Sequence, residues 1–517
     1  MSFSLRQRLL PYLLILAFIA AKVPRLNYPF YWDESWVYAP AIYAMHDHGP
    51  SLMPNAIPIE YSRGHPLLFQ AGCALWMDIF GTSHVAMHAY ALLLSALLAI
   101  ATYELIRKLF NPMAALLALT LLLLNPDFFL YGTFLLTDLP LGLSILMALC
   151  YYNRKKYVQA ALSIALAAYI KESGLVLIPV LLADVAWSLA THRYSKGVAL
   201  CKAGSIAAGS ALIFVFFALQ KSQNGWFLNP GHTSLINTSI PHTADYLQQE
   251  LRHLLMEQRF AWYWTVATAF CVLIAWQKKL WSLLILPASF WCFYVSTLVL
   301  SIKDAAFYVL FPAGIAGLVY SLKWVRKLPS GQSHFVGLSM AFSLSFLYFC
   351  AINFYEPRYM YPAVLLLGTI LPAIFFDRAI AAVSGSKWLA GAGITLIIAA
   401  GMFSLQGAIQ TCDMFRRMRL HQEVVDYFEE RNEYNTSICA RQFLDNQHLC
   451  LPYTGFLRHN KGFSHVTATV DSTTRYAIWG TIDQWEPYFD TIYRDTSFHL
   501  IKHFQEGSDH IDIYKRH

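Results

Sequence analysis

Two adjacent carboxylates, Asp33 and Glu34, stand among Tyr31, Trp32 and Trp36. Acids at a half-buried interfacial position cost free energy unless they have partners or a use. Four further polar clusters follow along the chain: Arg63-Gly64-His65-Pro66, Thr137-Asp138-Leu139-Pro140, Lys171-Glu172-Ser173-Gly174 and Glu356-Pro357-Arg358-Tyr359. Carboxylates can take a proton from an attacking alcohol or amine. Lysine and arginine can hold the anion that a phosphate leaving group becomes. The set therefore suits group transfer from a phosphate-activated donor. Each cluster also has a plainer reading. Asp33 and Glu34 could be a solvated pair at a helix entry, and Asp138 could cap a helix with Pro140 in its first turn. Lys171 and Glu172 could pair with each other, Arg358 could pair with Glu356, and His65 could only open the helix after Pro66. Arg63 and Lys303 are loop cations that matter only if the fold brings them to a pocket. His46 and His48 around Asp47 match no standard metal spacing.

The elements that must position these residues are set by composition. Of 517 residues, 57% are hydrophobic and only 13% charged, with a mean hydropathy of +0.42. Soluble domains carry roughly a quarter charged residues, so a soluble enzyme, a disordered chain and a disulfide scaffold are all excluded. Apolar runs long enough to cross a bilayer fall near 8–23, 84–106, 113–129, 138–152, 157–170, 174–190, 203–220, 260–276, 280–300, 306–322, 333–352, 360–376 and 388–408. This predicts an all-α polytopic membrane protein of about thirteen spans, with 157–170 the shortest crossing. Alternate loops are basic, as the positive-inside rule requires of a cytoplasmic N-terminus. They carry Arg107 and Lys108, Arg154 to Lys156, Arg193 and Lys196, Lys278 and Lys279, Lys323 to Lys327, then Arg378 and Lys387. The net charge of +7 is thereby explained without a nucleic-acid partner. Reading the first span as a cleaved signal peptide would spoil this alternation. All the polar clusters then converge on the extracytoplasmic face, in loops that also hold His232, His242, Asp245, Lys303 and Asp304.

Composition shifts at residue 410. The chain divides into 1–410, a transmembrane catalytic domain, and 411–517, a small extracytoplasmic α/β domain. Residues 413–431 read as an amphipathic helix, and 464–470, 475–479, 498–503 and 510–514 as short strands. Cys439 and Cys450 in this region could pair in an oxidising compartment or remain thiols. The sequons at Asn237 and Asn435 decide nothing without a known source.

The ordered set of motifs resembles the membrane glycosyltransferases of the GT-C fold. The nearest branch is that of dolichyl-phosphate-mannose–protein mannosyltransferases and bacterial lipid A aminoarabinose transferases. The likeness rests on Asp33-Glu34 after the first span, Gly64-His65-Pro66, Thr137-Asp138-Leu139-Pro140, Lys171-Glu172, and Arg358-Tyr359 followed by Pro362. It implies an inverting transferase in a bacterial inner membrane. Such an enzyme moves a monosaccharide from a polyprenyl-phosphate donor to a lipid, glycan or protein acceptor. By position, Asp33 would be the general base, Glu34 would hold acceptor or sugar, and Asp138 would be a second cavity carboxylate. Lys171 and Arg358 would meet the donor phosphate, with His65, Arg63 and Tyr359 supporting substrate or loop. Leu67 stands where a second proline is usual, which bears on loop geometry and not on the reaction. The branches differ in metal dependence, so no metal ligands are assigned and a divalent cofactor stays open. The alternative is a transporter or lipid flippase, but such proteins place charges on broken helices near the midplane, in matched halves. Neither feature is found here.

Overall fold

The computed structural model describes residues 5–254, 260–278, 284–298, 306, 309–310, 312–314, 316, 328–353, 356–383, 387–440, 443–480 and 497–517. Lys303, Asp304 and most of the expected 306–322 span lie outside the described residues. Among those described, seven helices are long and apolar enough to cross a membrane. They are Leu9–Asn27, His84–Leu109, Glu172–Ala190, Lys196–Asn224, Ser330–Ala351, Pro357–Ala382 and Trp388–Glu429, the last continuing well past its apolar part. Shorter apolar helices run Leu68–Phe80, Pro112–Leu123, Tyr157–Ile170 and Thr265–Trp276. The chain is thus a mostly helical, multi-span membrane protein.

Two local departures from the apolar pattern shape the site. The expected span 113–129 is broken after Leu123 and restarts as Pro126–Tyr131. Asn125 causes the break: its side-chain oxygen accepts from the Phe128 N–H at 3.0 Å, and Pro126 opens the new helix. The first loop is far from featureless. It folds into helices Ala39–His48 and Leu68–Phe80, and Glu34–Tyr38 forms a single π-helical turn, an irregularity that often marks functional sites.

The C-terminal region holds a five-stranded mixed sheet in the order β2-β1-β3-β5-β4. Its strands are β1 (Ser437–Ala440), β2 (His465–Thr467), β3 (Tyr476–Gly480), β4 (Phe498–Glu506) and β5 (Asp509–Arg516). β1 pairs in parallel with both β2 and β3, whereas β5 runs antiparallel to β3 and β4. The turn between β4 and β5 uses Gly507 at φ +65, which suits a tight hairpin. Helix Asp413–Glu429 packs against β4 and β5.

One core fills the helical bundle, with Leu98, Ala118, Leu149, Phe342 and Leu366 inaccessible or nearly so. A second core is shared between the first loop and the sheet. It joins Phe30, Tyr31, Tyr38 and Phe69 to Val424, Phe428, Ile438, Ile478 and Ile513. Hydrogen bonds cross the same seam: Phe30 N–H donates to Thr454 O at 2.6 Å, and Tyr453 Oη–H to Ser35 O at 3.1 Å. The segment carrying Asp33 is therefore held from both sides.

Candidate active site

Asp33 follows Trp32, which adopts φ 55, a left-handed conformation costly for a bulky side chain. The turn aims the Asp33 carboxylate at Arg358, whose Nη2 donates to it. Arg358 lies at the start of Pro357–Met360, a 3₁₀ turn leading into the next span, and is only 2% exposed. Its Nη1 donates to Asp138 Oδ2 at 3.2 Å. Asp138, the first residue of helix Asp138–Asn153, also accepts from Lys171 Nζ at 2.8 Å. Two carboxylates and two cations thus form one chain of contacts, Asp33–Arg358–Asp138–Lys171. Aromatic faces complete it. Arg358 stacks on Trp32 at 4.9 Å and on Tyr359 at 4.8 Å, and Lys171 Nζ sits 3.9 Å from the Tyr359 ring centre. Burial alone would lower the lysine, but Asp138, helped by Tyr38 and Tyr359, raises it well above its ordinary value. It stays a cation throughout the physiological range.

This chain forms one wall of a cavity of about 1120 Å³, which Asp33, Lys171, Arg358 and Tyr359 all line. Arg63 and His65 reach the same space, with Arg63 lying 4.2 Å over the Trp36 ring. Of the eight residues expected from sequence, two do not face the cavity. Asp138 stands behind Lys171 and Arg358, where it sets both cations. Glu34 turns away into the protein, since successive helical residues diverge by roughly 100°. Its Oε1 accepts from Leu135 N–H at 2.7 Å and contacts His88 Nε2 at 3.0 Å, and its Oε2 accepts from Tyr31 N–H at 3.4 Å. These contacts place Glu34 to hold the loop. His46 pairs with Asp78 at 3.3 Å and Asp47 at 3.6 Å, outside the cavity lining. His242 and Asp245 also stay outside it, with His242 against the Tyr246 ring at 4.2 Å.

Sequence carried no sign that Arg417, Met414 and Gln70 line the cavity, nor that Glu172 and His232 meet at His65. Arg417 and Met414 enter from the helix after residue 410, and an arginine among the three of that amphipathic helix reads as solvent-facing. Gln70 comes from the unexpected helix Leu68–Phe80. His232 and Glu172 approach His65: the His65 Nδ1–Glu172 Oε1 distance is 2.9 Å, and the two imidazole centres lie 4.5 Å apart. Burial, with His65 adding to it, lowers His232 to about 4, so its ring is neutral.

Glu356 also lines the cavity. Burial, then the nearby Asp138 charge, raises its carboxyl to about 7. A carboxyl raised in the folded state contributes stability that is present below its unfolded value and lost as pH rises through the folded one. Glu356→Gln is therefore expected to raise the thermal midpoint over wild type at pH 8, with the difference vanishing below about pH 4.5. Melting both proteins across that range checks it, and a gain independent of pH would refute the assignment.

Gly64 shows how tightly the rim is fitted. It adopts φ +74, and a Cβ there would lie 2.6 Å from the Trp226 ring. Gly64→Ala is expected to cost at least about 1–2 kcal/mol, the penalty of a left-handed alanine, before any clash is counted. A thermal midpoint equal to wild type would show that the loops can separate freely.

Comparison with known proteins now adds to this geometry. Residues 64–221 match the profile of a family described as dolichyl-phosphate-mannose-protein mannosyltransferase. A crystal structure of ArnT from Cupriavidus metallidurans bound to undecaprenyl phosphate is similar over 98% of this chain and 97% of that one, with a TM-score of 0.58 at 12% identity. The same protein in its apo state gives 0.52 at 12% identity, over 96% and 97%. The archaeal oligosaccharyltransferase AglB from Archaeoglobus fulgidus gives 0.44 at 14% identity, over 92% of this chain and 70% of that one. A sequence comparison with curated proteins returns no match. The chain shares the fold of ArnT, and with the family match over residues 64–221 it is similar to membrane glycosyltransferases of the GT-C type.

Proposed function

We propose that the protein transfers a monosaccharide, with inversion, from a polyprenyl-phosphate carrier to a hydroxyl or amine acceptor. The observation that carries this reading is the Asp33–Arg358–Asp138–Lys171 chain at the wall of a cavity whose remaining surface is largely apolar. Ile170, Leu175, Val176, Leu235, Ile236 and Phe349 supply that surface, which suits an isoprenoid tail beside a phosphate. The likeness to ArnT, a protein crystallised with undecaprenyl phosphate, supports the donor class.

In this scheme Lys171 and Arg358 hold the donor phosphate and neutralise the charge that grows on it as the glycosidic bond breaks. No general acid is needed, because a phosphate leaves as an anion. Asp33 takes the proton of the attacking acceptor on the opposite side of the sugar. Asp138 fixes the two cations, Glu34 fixes the loop, and Arg63, Tyr359 and His65 shape the wall around the sugar. The acceptor is a lipid, glycan or protein. The alternation of basic loops supports a cytoplasmic N-terminus, about thirteen spans, and a site and a 411–517 domain outside the cytoplasm. The setting we infer is the inner membrane of a bacterium.

Membranes containing the protein, supplied with radiolabelled polyprenyl-phosphate sugars, should transfer label to an extracted acceptor. Transfer from nucleotide sugars instead would overturn the donor class. A reporter fused after Gln410 should be active outside the cytoplasm, and cytoplasmic activity would overturn the orientation.

A further inference from the structure

Where the first span ends, two cations stand without an ion pair among the described residues. Lys22, the last residue of helix Leu5–Lys22, is 0% exposed, and its Nζ has no hydrogen-bond acceptor among those residues. It rests 3.7 Å from the centre of the Phe129 ring and 5.7 Å from that of Phe18. Arg25, in the following turn Val23–Asn27, lies 5.1 Å from the Phe129 ring centre and 4.7 Å from that of Phe415. Its Nη1 is buried without an acceptor, while the rest of the half-buried side chain reaches the surface. Aromatic faces and the carbonyl end of a helix favour a positive charge. They offset only part of what burying a charge without a counter-ion costs.

The surroundings say which anion fits. In the orientation proposed above both cations lie at the extracytoplasmic end of the span, where the positive-inside trend disfavours them. Neither lines the donor cavity, so the donor phosphate does not supply the counter-charge. Nor does the helix that carries Phe415: the acids opposite it, Asp509 and Glu506, already hold Arg416, Arg417 and Arg419. What adjoins the two cations is apolar. Leu9, Leu13 and Leu16 are exposed along one stripe of the first helix, at the i, i+4, i+7 spacing of a single face. Val23, also exposed, carries this stripe up to Arg25. On the far side Tyr28 meets Phe415 edge-on at 5.7 Å. A ligand seated at Arg25 thus has room for an anionic head and a surface for hydrocarbon chains.

We propose that Arg25, with the Lys22 charge behind it, binds the phosphodiester of an anionic phospholipid from the surrounding bilayer, whose chains lie along Leu16 and Leu13. The phosphate oxygens accept from the guanidinium, and the headgroup offsets both positive charges that share the Phe129 ring. The lipid is a fixed companion of the protein and braces the turn from which the Asp33 loop departs. It needs no part of the donor assignment, so the site stands or falls separately from the proposed transfer reaction.

The test uses the full-length protein, purified in detergent, stripped of lipid and titrated with phosphatidylglycerol under native mass spectrometry. One tightly held lipid per chain is expected, with phosphatidylcholine bound at least about tenfold more weakly, as two nearby cations imply. Arg25→Gln should lower the phosphatidylglycerol affinity by at least about tenfold, the loss of one charge-assisted hydrogen bond. Lys22→Met serves as the second variant should Arg25→Gln fail to fold, with a fall of about fivefold. Inorganic phosphate at matched concentration should displace no lipid, since it has no chains to lie on the span. Displacement would make free phosphate the ligand and overturn the lipid assignment. Equal binding of the two phospholipids by wild type, or of phosphatidylglycerol by wild type and a folded variant, would overturn the proposal.

Discussion

Arg358→Met is expected to abolish sugar transfer and to cost about 3–5 kcal/mol of stability, the usual consequence of removing one partner from a buried ionic cluster. The side chain is buried and bridges Asp33 and Asp138. Methionine would leave Asp33 without that bridge and Asp138 with Lys171 alone. The donor phosphate would lose its deepest cation. Arg358→Lys separates the two effects. It restores a positive charge, but a point charge on a flexible stem cannot donate to two carboxylates in fixed directions. Partial recovery of the thermal midpoint with little recovery of transfer is the expected pattern. Wild-type transfer by Arg358→Met would remove Arg358 from the donor site.

Asp33→Asn is expected to lower kcat by about 10²–10⁴, the range typical of losing a positioned general base. The fold should survive, because Asn is isosteric and Arg358 keeps Asp138. The KM for the polyprenyl-phosphate donor should change little, since Asp33 is assigned to the acceptor proton. Asp138→Asn provides the contrast. Lys171 and Arg358 both depend on that carboxylate, so donor KM should rise together with a fall in kcat. Steady-state kinetics of the two variants in membranes checks this. Equal transfer by wild type and Asp33→Asn would sink the assignment of the base.

The helical bundle was legible because bilayer thickness fixes the length of an apolar run, and runs such as 84–106 and 157–170 recur as His84–Leu109 and Tyr157–Ile170. Scarcity of charge made Asp33, Lys171 and Arg358 stand out. What sequence hid were directions and long-range meetings. Glu34 is adjacent to Asp33 yet points into the protein, and adjacency carries no sign of that. β1 went unread because Ser437–Ala440 offers only Ile-Cys-Ala as an apolar run, although its pairing with β2 and β3 places it inside the sheet. His232 lies 167 positions from His65 in sequence, too far for spacing to relate them. Helix Leu68–Phe80 went unread because its apolar run of 13 residues is too short for a bilayer crossing.

The second hydrophobic core has a consequence for modularity. Phe30 and Tyr31, immediately before Trp32 and Asp33, pack among side chains of the C-terminal helix and sheet. The C-terminal region is therefore not an interchangeable accessory. A chimera that took residues 411–517 from a distant relative would bring a foreign surface against the loop that carries Asp33, however intact the bundle. Exchange between homologues should succeed only when residues 28–45 travel with the donor's C-terminal segment. Natural variation in that segment would then retune acceptor use from a distance, without altering any residue that lines the cavity from the bundle.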